Sequence, residues 1–111
     1  MIIYKIFRQN EWRDLQETGE TSGAPIDLAD GYVHFSAVEQ VAETAEKYFA
    51  KVDGLMLLAI EAENCPEIKW ETSRGGALFP HLYRKLRLED VKWAKPLPCK
   101  GNGHEFPAGV L

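Results

Sequence analysis

Residues 30–49, with the sequence DGYVHFSAVEQVAETAEKYF, decide the fold because they join a short strand to an amphipathic helix. The strand is predicted at residues 32–35, where apolar and aromatic side chains surround His34. Ser36 followed by Glu39 is typical of a capping box that opens a helix. The helix is predicted by apolar side chains that recur at helical spacing and form one buried stripe, namely Val38, Val41, Ala42, Ala45, Tyr48 and Phe49.

The other predicted elements are short. A second helix is predicted at residues 11–18, with Asn10 as its N-cap and Gly19 as its terminator. A loop is expected at residues 20–29 and an irregular tail at residues 96–111. Further strands are predicted at residues 2–7, 55–61, 67–71 and 78–83 and, at a sheet edge, 91–94. Helices set apart from several short strands predict an α+β domain with mostly antiparallel pairing and not a doubly wound fold.

The length of 111 residues predicts a single domain, residues 1–111. Lys5 interrupts the apolar start, so no secretory signal is predicted, and no apolar stretch is long enough for a membrane span. Cys65 and Cys99 lie far apart without a paired motif. We therefore interpret both as reduced thiols and expect a cytoplasmic protein.

The charge argues against one class of function. A formal net charge of -4 is opposite to the basic surface of a general nucleic-acid binder. Residues 74–100 nevertheless hold seven Lys or Arg against two acidic residues, whereas residues 1–73 hold six against fourteen. This asymmetry indicates a local anion site in the second half, and its alternative is an ordinary strand face in contact with water.

Two of the three histidines lie inside apolar, aromatic segments: His34 in residues 30–36 and His81 in Phe79-Pro80-His81-Leu82-Tyr83. Imidazole has an unperturbed pKa of about 6.5, so small changes in its surroundings alter its charge near neutral pH. The two segments therefore predict a site. The alternative is a pair of core histidines, each hydrogen-bonded to backbone.

His34 and Ser36 stand two residues apart and are expected to share a strand face, with Tyr32 behind them. A histidine and a hydroxyl on one face can bind the vicinal hydroxyls of a ribose or position an attacking water. The N-cap role is the favoured interpretation of Ser36. Glu71 is a candidate general base, and its alternative is a surface strand glutamate.

His81 and Tyr83 are expected to share a face in the same way, and Arg84 can bind a phosphate or carboxylate in bidentate fashion. The alternative pairs Arg84 with Glu89 or Asp90. His34, His81 and His104 have the ligand type of a metal site, but the sequence lacks the close spacing typical of zinc sites, so no metal is predicted. Phosphate-binding glycine loops are also absent from the sequence.

Several motifs occur together along nearly the whole chain: Ile3-Tyr4-Lys5-Ile6, Trp12, residues 30–36, Gln40, Leu57-Leu58 with Ala59-Ile60, Trp70-Glu71 and residues 79–83. In this combination they resemble the small bacterial family known as domain of unknown function 952. That family has no established activity, so the resemblance implies a family and not a mechanism.

A more distant resemblance is to the ADP-ribosyltransferase-like superfamily, especially its RNA 2'-phosphotransferase branch. It rests on the order of strand, helix, glycine and loop, followed by a strand that ends in His-x-Ser before a helix. The resemblance implies split, mostly antiparallel sheets with two main helices on the outside. His34 matches the second-strand histidine that holds the nicotinamide ribose of NAD, residues 55–61 match the next core strand, and Lys5 occupies the place of the first histidine.

The leading hypothesis is an ADP-ribosyltransferase-like domain that binds NAD or a related nucleotide in a two-histidine cleft. As a transferase of ADP-ribosyl or phosphoryl groups, its catalytic residues would be His34, His81 and Glu71. Its ligand-binding residues would be Lys5, Tyr32, Ser36, Arg74, Tyr83 and Arg84. One alternative is a non-catalytic module that binds a small molecule or peptide, suggested by Lys5, and another is a metal-dependent hydrolase. The expected assembly is a monomer or small homo-oligomer with a small-molecule partner.

Overall fold

Strands of opposite direction dominate the computed structural model, which describes residues 1–101 and 103–111 and all their side chains except that of Arg74. The strands are β1 Ile2–Phe7, β2 Glu20–Thr21, β3 Val33–His34, β4 Ser36–Ala37, β5 Leu55–Glu61, β6 Ile68–Thr72, β7 Leu78–Leu82, β8 Leu86–Arg87, β9 Val91–Leu97, β10 Cys99–Lys100 and β11 Gly103–His104. The helices are α1 Gln9–Thr18, α2 Pro25–Asp30 and α3 Val38–Tyr48.

Two antiparallel sheets organise the molecule. The larger has the strand order β4-β1-β5-β9, and the smaller has the order β3-β7-β6. The chain passes from the smaller sheet to the larger at Phe35, whose backbone N–H donates to the carbonyl of Pro80 at 3.0 Å. The α+β class with mostly antiparallel pairing is therefore confirmed. The strand predicted at residues 32–35 is shorter, Val33–His34, and Ser36 belongs to the next strand in the other sheet, so the prediction that His34 and Ser36 share one strand face is wrong.

The larger sheet is buried on both faces, which explains the continuous apolar run of β5. On one face, Tyr4 and Ile6 of β1 pack with Val41 and Ala45 of α3. The opposite face packs against α1 and the smaller sheet through Ile3, Phe7, Leu15, Val33, Phe35, Leu58, Ile60 and Leu82. Since side chains alternate along a strand, Lys5 of β1 points to the same side as Ile3 and Phe7.

Helix α3 is confirmed, but its predicted stripe is narrower than expected. Val41 and Ala45 are buried, whereas Val38 is 40% and Tyr48 54% exposed. The predicted cap is wrong: the backbone N–H of Ala37 donates to Gln40 Oε1 at 2.9 Å, and the Ser36 hydroxyl bonds to that of Thr44 at 3.0 Å. Ser36 cannot cap the helix because it belongs to β4, one residue before the cap position.

Residues 20–29, predicted as a loop, contain β2 and most of α2. Pro25 begins α2 because its fixed φ suits a first helical position, and Gly31 ends the helix with φ 85°. Helix α1 also starts earlier than predicted, so Asn10 lies inside it and Arg8 is the N-cap. The tail forms a hairpin of β10 and β11. No helix in the described part of the chain is long and apolar enough to cross a membrane.

Candidate functional site

The two predicted histidines are neighbours across strands β3 and β7. His34 and His81 are partners in the antiparallel register, and their ring centroids lie 5.2 Å apart with the rings edge to face. Directly opposite residues of an antiparallel pair project from the same face of the sheet. The smaller sheet therefore brings together two imidazoles that are 47 residues apart in sequence.

A buried carboxylate holds the first imidazole. Asp27 Oδ1 lies 2.6 Å from His34 Nδ1 and accepts the backbone N–H of His34 at 3.0 Å. Its other oxygen, Oδ2, accepts Lys5 Nζ and the backbone N–H of Ala24, both at 2.7 Å. Asp27 of α2 is thus hydrogen-bonded to Lys5 of β1 and to His34 of β3, and it connects these three elements.

Electrostatics fixes the charge state of this cluster. Burial alone would raise the pKa of Asp27, but hydrogen bonds from His34 and the ammonium of Lys5 outweigh burial and lower it. Burial lowers the pKa of Lys5, and the Asp27 carboxylate opposes that effect. Because Asp27 is ionised and its oxygens can only accept, His34 Nδ1 carries a proton and its N–H donates a hydrogen bond to the carboxylate.

A second carboxylate holds the other imidazole. Glu71 Oε1 lies 2.8 Å from His81 Nδ1 and accepts the Tyr83 hydroxyl at 2.6 Å. The hydrogen bond from Tyr83 and, to a smaller extent, that from His81 lower the pKa of Glu71. The bond between Tyr83 and Glu71 also raises the pKa of Tyr83 to about 12. His81 is 2% exposed, and its Nε2 is buried without a hydrogen-bond partner in the described part of the protein.

Sequence reasoning missed Asp27 and Asp30. Asp30 Oδ2 lies 3.0 Å from His34 Nε2, so both carboxylates of α2 border this imidazole. One signal in the sequence pointed to Asp27: Lys5 interrupts an otherwise buried strand, and a buried ammonium requires an acidic partner. The position of that partner depends on α2, a segment whose composition predicted a loop.

The histidines lie at a cleft of about 750 Å³ between the two sheets and helix α3. Four of the predicted site residues line it, namely Lys5, His34, Ser36 and His81. The cleft also has polar side chains from Asn10, Glu11, Asp30, Gln40, Glu43, Thr44 and Ser73, and apolar or aromatic ones from Tyr4, Ile6, Ile26, Phe35, Tyr48, Phe49 and Phe79.

Tyr32 and Tyr83 lie elsewhere, lining a second hollow of about 290 Å³ with Arg84. The Tyr32 ring stacks on His81 at a centroid distance of 4.3 Å and lies 4.7 Å from the ring of His34. Tyr32 therefore supports both imidazoles from the side of the second hollow. Glu71 lines neither space and reaches the cleft only through His81.

Of the predicted basic residues, Lys5 lies at the cleft and Arg84 does not. The Arg84 guanidinium donates to Asp90 at 2.8 Å and lies 3.3 Å from Glu67, which is the acidic pairing named as its alternative. The Arg74 side chain lies outside the described part of the structure. Among the side chains that the structure describes, the cations that line the large cleft are Lys5, Arg8 and Lys47.

The third histidine is remote from this site. His104 Nε2 donates to the carbonyl of Val52 at 2.8 Å. Over the described residues, no three or more His, Cys, Asp or Glu side chains are grouped so as to hold a metal ion. Cys65 and Cys99 are free, and burial raises the pKa of the Cys65 thiol, which disfavours the reactive thiolate.

The two imidazoles both face a carboxylate at Nδ1 but differ at Nε2: that of His81 has no hydrogen-bond partner among the described residues, whereas that of His34 lies 3.0 Å from Asp30 Oδ2. A carboxylate on Nδ1 fixes both the tautomer and the orientation of an imidazole, and it stabilises the imidazolium that forms when Nε2 takes a proton. The arrangement can therefore accept hydrogen bonds from ligand hydroxyls or transfer protons.

Comparisons with known proteins agree with this architecture. The crystal structure of protein CC0527 from Caulobacter crescentus is 46% identical, covers 94% of this chain and 92% of that chain, and has a TM-score of 0.89. A double mutant of CC0527 gives the same values. The solution NMR structure of CC0527 is also 46% identical, with 93% and 90% coverage and a TM-score of 0.84.

No curated protein matches the chain. The family described as "Protein of unknown function (DUF952)" matches residues 6–94, which is most of the sequence. The resemblance inferred from residues 30–36 and 79–83 is thereby confirmed at the level of this family. The chain belongs to the DUF952 family.

Proposed function

We propose that the large cleft binds NAD or a related nucleotide, with His34 at the ribose hydroxyls. The observation that carries the proposal is the convergence of two carboxylate-held imidazoles, His34 and His81, on one cleft of about 750 Å³. Small-molecule sites commonly have volumes of about 300 to 1,000 Å³ and combine apolar walls with a few fixed polar groups. This cleft has both features.

The polar groups suited to a sugar lie along one wall. His34 borders the cleft from β3, and the Ser36 and Thr44 hydroxyls, joined at 3.0 Å, border it from β4 and α3. Gln40 is fixed nearby because its amide also donates to the Leu78 carbonyl at 2.7 Å. Groups held in this way bind a ligand without losing much side-chain entropy.

The phosphates of a nucleotide are expected at Arg8 and not at Arg84. The Arg8 guanidinium lies over the Phe49 ring at 4.9 Å, and its separation from Glu11 is 3.9 Å, too long for a hydrogen bond. Its planar fork can therefore still bind a phosphate in bidentate fashion. The Arg84 guanidinium is paired with Asp90 at 2.8 Å and lies 3.3 Å from Glu67, away from this cleft.

The split antiparallel sheets and the position of His34 support the likeness to ADP-ribosyltransferase-like domains. Holding the ribose rigidly while positive charge develops at its anomeric carbon is the main requirement for breaking a nicotinamide–ribose bond. Asp30, beside His34 Nε2, places negative charge near that position.

A second candidate is a binding module without turnover, and Lys5 favours it. The Lys5 ammonium donates to Asp27 at 2.7 Å and is buried, so it does not replace the ribose-binding histidine that the superfamily has at this place. The two candidates share the ligand and differ in product. Release of nicotinamide distinguishes them.

Isothermal titration with NAD, ADP-ribose and a 2'-phosphorylated dinucleotide tests the proposal. We expect binding of at least one, weakened roughly tenfold or more by His34→Ala, because one hydrogen bond to a fixed group is lost. His104→Gln is the histidine control. Arg8→Ala should weaken ADP-ribose more than adenosine, whereas Arg13→Ala, on the exposed side of α1, should change neither. No heat from any of the three ligands at millimolar concentration contradicts nucleotide binding.

A further inference from the structure

His81 Nε2 is a buried polar atom without a partner among the described residues. Buried polar groups in folded proteins nearly always have a hydrogen-bond partner, and an exception needs a physical explanation. The other two histidines differ: His34 Nε2 lies 3.0 Å from Asp30, and His104 Nε2 donates to a backbone carbonyl. Among the three histidines the exception is therefore specific to the ring that lies beside His34, and the other buried side-chain atom without a hydrogen bond among the described residues is Arg84 Nε, which lies 3.3 Å from Glu67.

Glu71 determines which kind of partner His81 Nε2 requires. The Glu71 carboxylate accepts the Tyr83 hydroxyl and faces His81 Nδ1 at 2.8 Å. A carboxylate can only accept in this arrangement, so the proton of the neutral imidazole is on Nδ1. Nε2 then has a lone pair and needs a donor such as a hydroxyl.

The ring that carries this lone pair borders the large cleft. His81 lines the cleft, whereas Glu71, to which Nδ1 is turned, does not. Nε2 therefore belongs to the edge of the imidazole that is turned away from Glu71. The His34 ring, 5.2 Å away and partly exposed, forms the adjacent wall, so a group that reaches Nε2 enters beside His34.

We propose that His81 Nε2 accepts a hydrogen bond from a hydroxyl of the bound ligand, and that Glu71 is the positioning residue that keeps this nitrogen an acceptor. The inference rests on the proposed function, in which the ligand is a ribonucleotide, and adds that the site selects ribose over deoxyribose. A site built to bond a hydroxyl discriminates strongly against a ligand that lacks it, because the buried partner is then left unpaired.

Binding of NAD is compared with binding of two analogues whose nicotinamide ribose lacks the 2'- or the 3'-hydroxyl. We expect one analogue to bind roughly ten- to a hundredfold more weakly than NAD. Glu71→Gln should abolish this difference by weakening NAD alone, because a glutamine amide can donate to Nδ1 and move the proton to Nε2. Glu89→Gln is the matched control, since Glu89 is exposed and contacts no imidazole.

The tautomers are measured independently of any ligand by ¹⁵N NMR of the free protein. In the neutral rings we expect the proton of His81 on Nδ1 and that of His104 on Nε2, with Glu71→Gln moving only the His81 proton. This readout separates a positioning role of Glu71 from a general loss of structure.

Each outcome decides something different. Equal binding of NAD and both deoxy analogues overturns the hydroxyl inference and leaves the proposed function standing. An Nε2 proton on His81 of the unmodified protein overturns the role of Glu71. Absence of NAD binding overturns the proposed function and with it ribose selection, while the tautomer measurement still decides whether Glu71 controls His81.

Discussion

His34 Nδ1 lies 2.6 Å from Asp27 Oδ1, and Lys5 Nζ lies 2.7 Å from the other oxygen of the same carboxylate. One buried side chain thus serves the fold and the site. It pairs the ammonium that interrupts β1, and it orients the imidazole that faces the cleft. A change at Asp27 is therefore expected to alter stability and ligand binding together.

Asp27→Ala leaves the Lys5 ammonium buried without its partner. Removing one member of a buried ion pair typically lowers the free energy of unfolding by about 3 to 5 kcal/mol. The exposed ion pair of Lys47 and Glu43, at 3.0 Å, is the control. Lys47→Met should lower the free energy of unfolding by about 0.5 kcal/mol or less. Urea unfolding measures both.

The double variant Lys5→Met with Asp27→Ala sharpens the same test. Since it removes the buried charge entirely, we expect it to recover part of the stability lost in Asp27→Ala. A double variant that is less stable than Asp27→Ala would show that the uncompensated charge is not the cause.

Acid should destabilise the protein partly through Asp27. Its pKa is lower in the folded chain than the ordinary value of 3.8, so the unfolded chain binds more protons as pH falls. The stabilisation is present above about pH 4 and is lost as pH falls through the folded value. Unfolding free energies measured from pH 6 to pH 2 should therefore fall more steeply for the unmodified protein than for Asp27→Asn. Parallel curves would contradict this assignment.

Gly23 is required because it lies against Asp27. Its φ is +102°, and a Cβ at this position would overlap the Asp27 carboxylate. Gly31 is the control, since its φ is +85° and no atom lies within 4 Å of its ideal Cβ. Gly31→Ala should lower the free energy of unfolding by about 1 to 2 kcal/mol from backbone strain alone.

Gly23→Ala should exceed that loss because it also displaces the carboxylate from Lys5 and His34. In ¹⁵N NMR the signal of His34 Nδ1 should change, because this nitrogen loses its contact with Asp27. Equal losses in the two glycine variants, with an unchanged His34 signal, would show that the close approach to Asp27 is unimportant.

The elements predictable from sequence are those whose signal is local. The apolar runs of β1 and β5 gave their bounds correctly, and Gly19 ends α1 as predicted, with φ 84°. The prediction of a loop at residues 20–29 was wrong because Gly, Ser and Pro are typical of loops. Pro25 also suits the start of a helix, and Asp27 is buried by contacts with β1 and β3. Contacts over 22 residues are not visible in composition.

The candidate site was predictable in its centre and not in its periphery. The aromatic segments around His34 and His81 indicated a site, but the pairing of β3 with β7 that places the two histidines opposite one another is not visible in either segment. Alternation could not show that Tyr32 and Tyr83 line a separate hollow, because that depends on how α2 covers the sheet. Arg84 does not reach the histidine site because it binds Asp90, six residues later in the sequence.

Gln40, and not Ser36, is expected to control the start of α3. Gln40→Ala removes the acceptor of the Ala37 N–H and the donor to the Leu78 carbonyl, which should lower the free energy of unfolding by about 1 to 2 kcal/mol. Gln40→Glu keeps the capping oxygen and should recover much of that loss. Ser36→Ala removes only the bond to Thr44 and should be the mildest change. A larger effect of Ser36→Ala than of Gln40→Ala in urea unfolding would contradict this order.

Tyr83 gives a spectroscopic measure of the contact that orients His81. The Glu71 carboxylate raises the pKa of Tyr83 to about 12 by accepting its hydroxyl proton. Because the folded value exceeds the ordinary value of 10.0, the stabilisation is complete below about pH 10 and is lost as pH rises through the folded value. In an ultraviolet titration, Glu71→Gln should move one tyrosine to lower pH, and Tyr83→Phe should remove that transition. If a tyrosine with a pKa near 12 is still observed in Tyr83→Phe, that tyrosine is a different residue, and the contact with Glu71 does not determine its pKa.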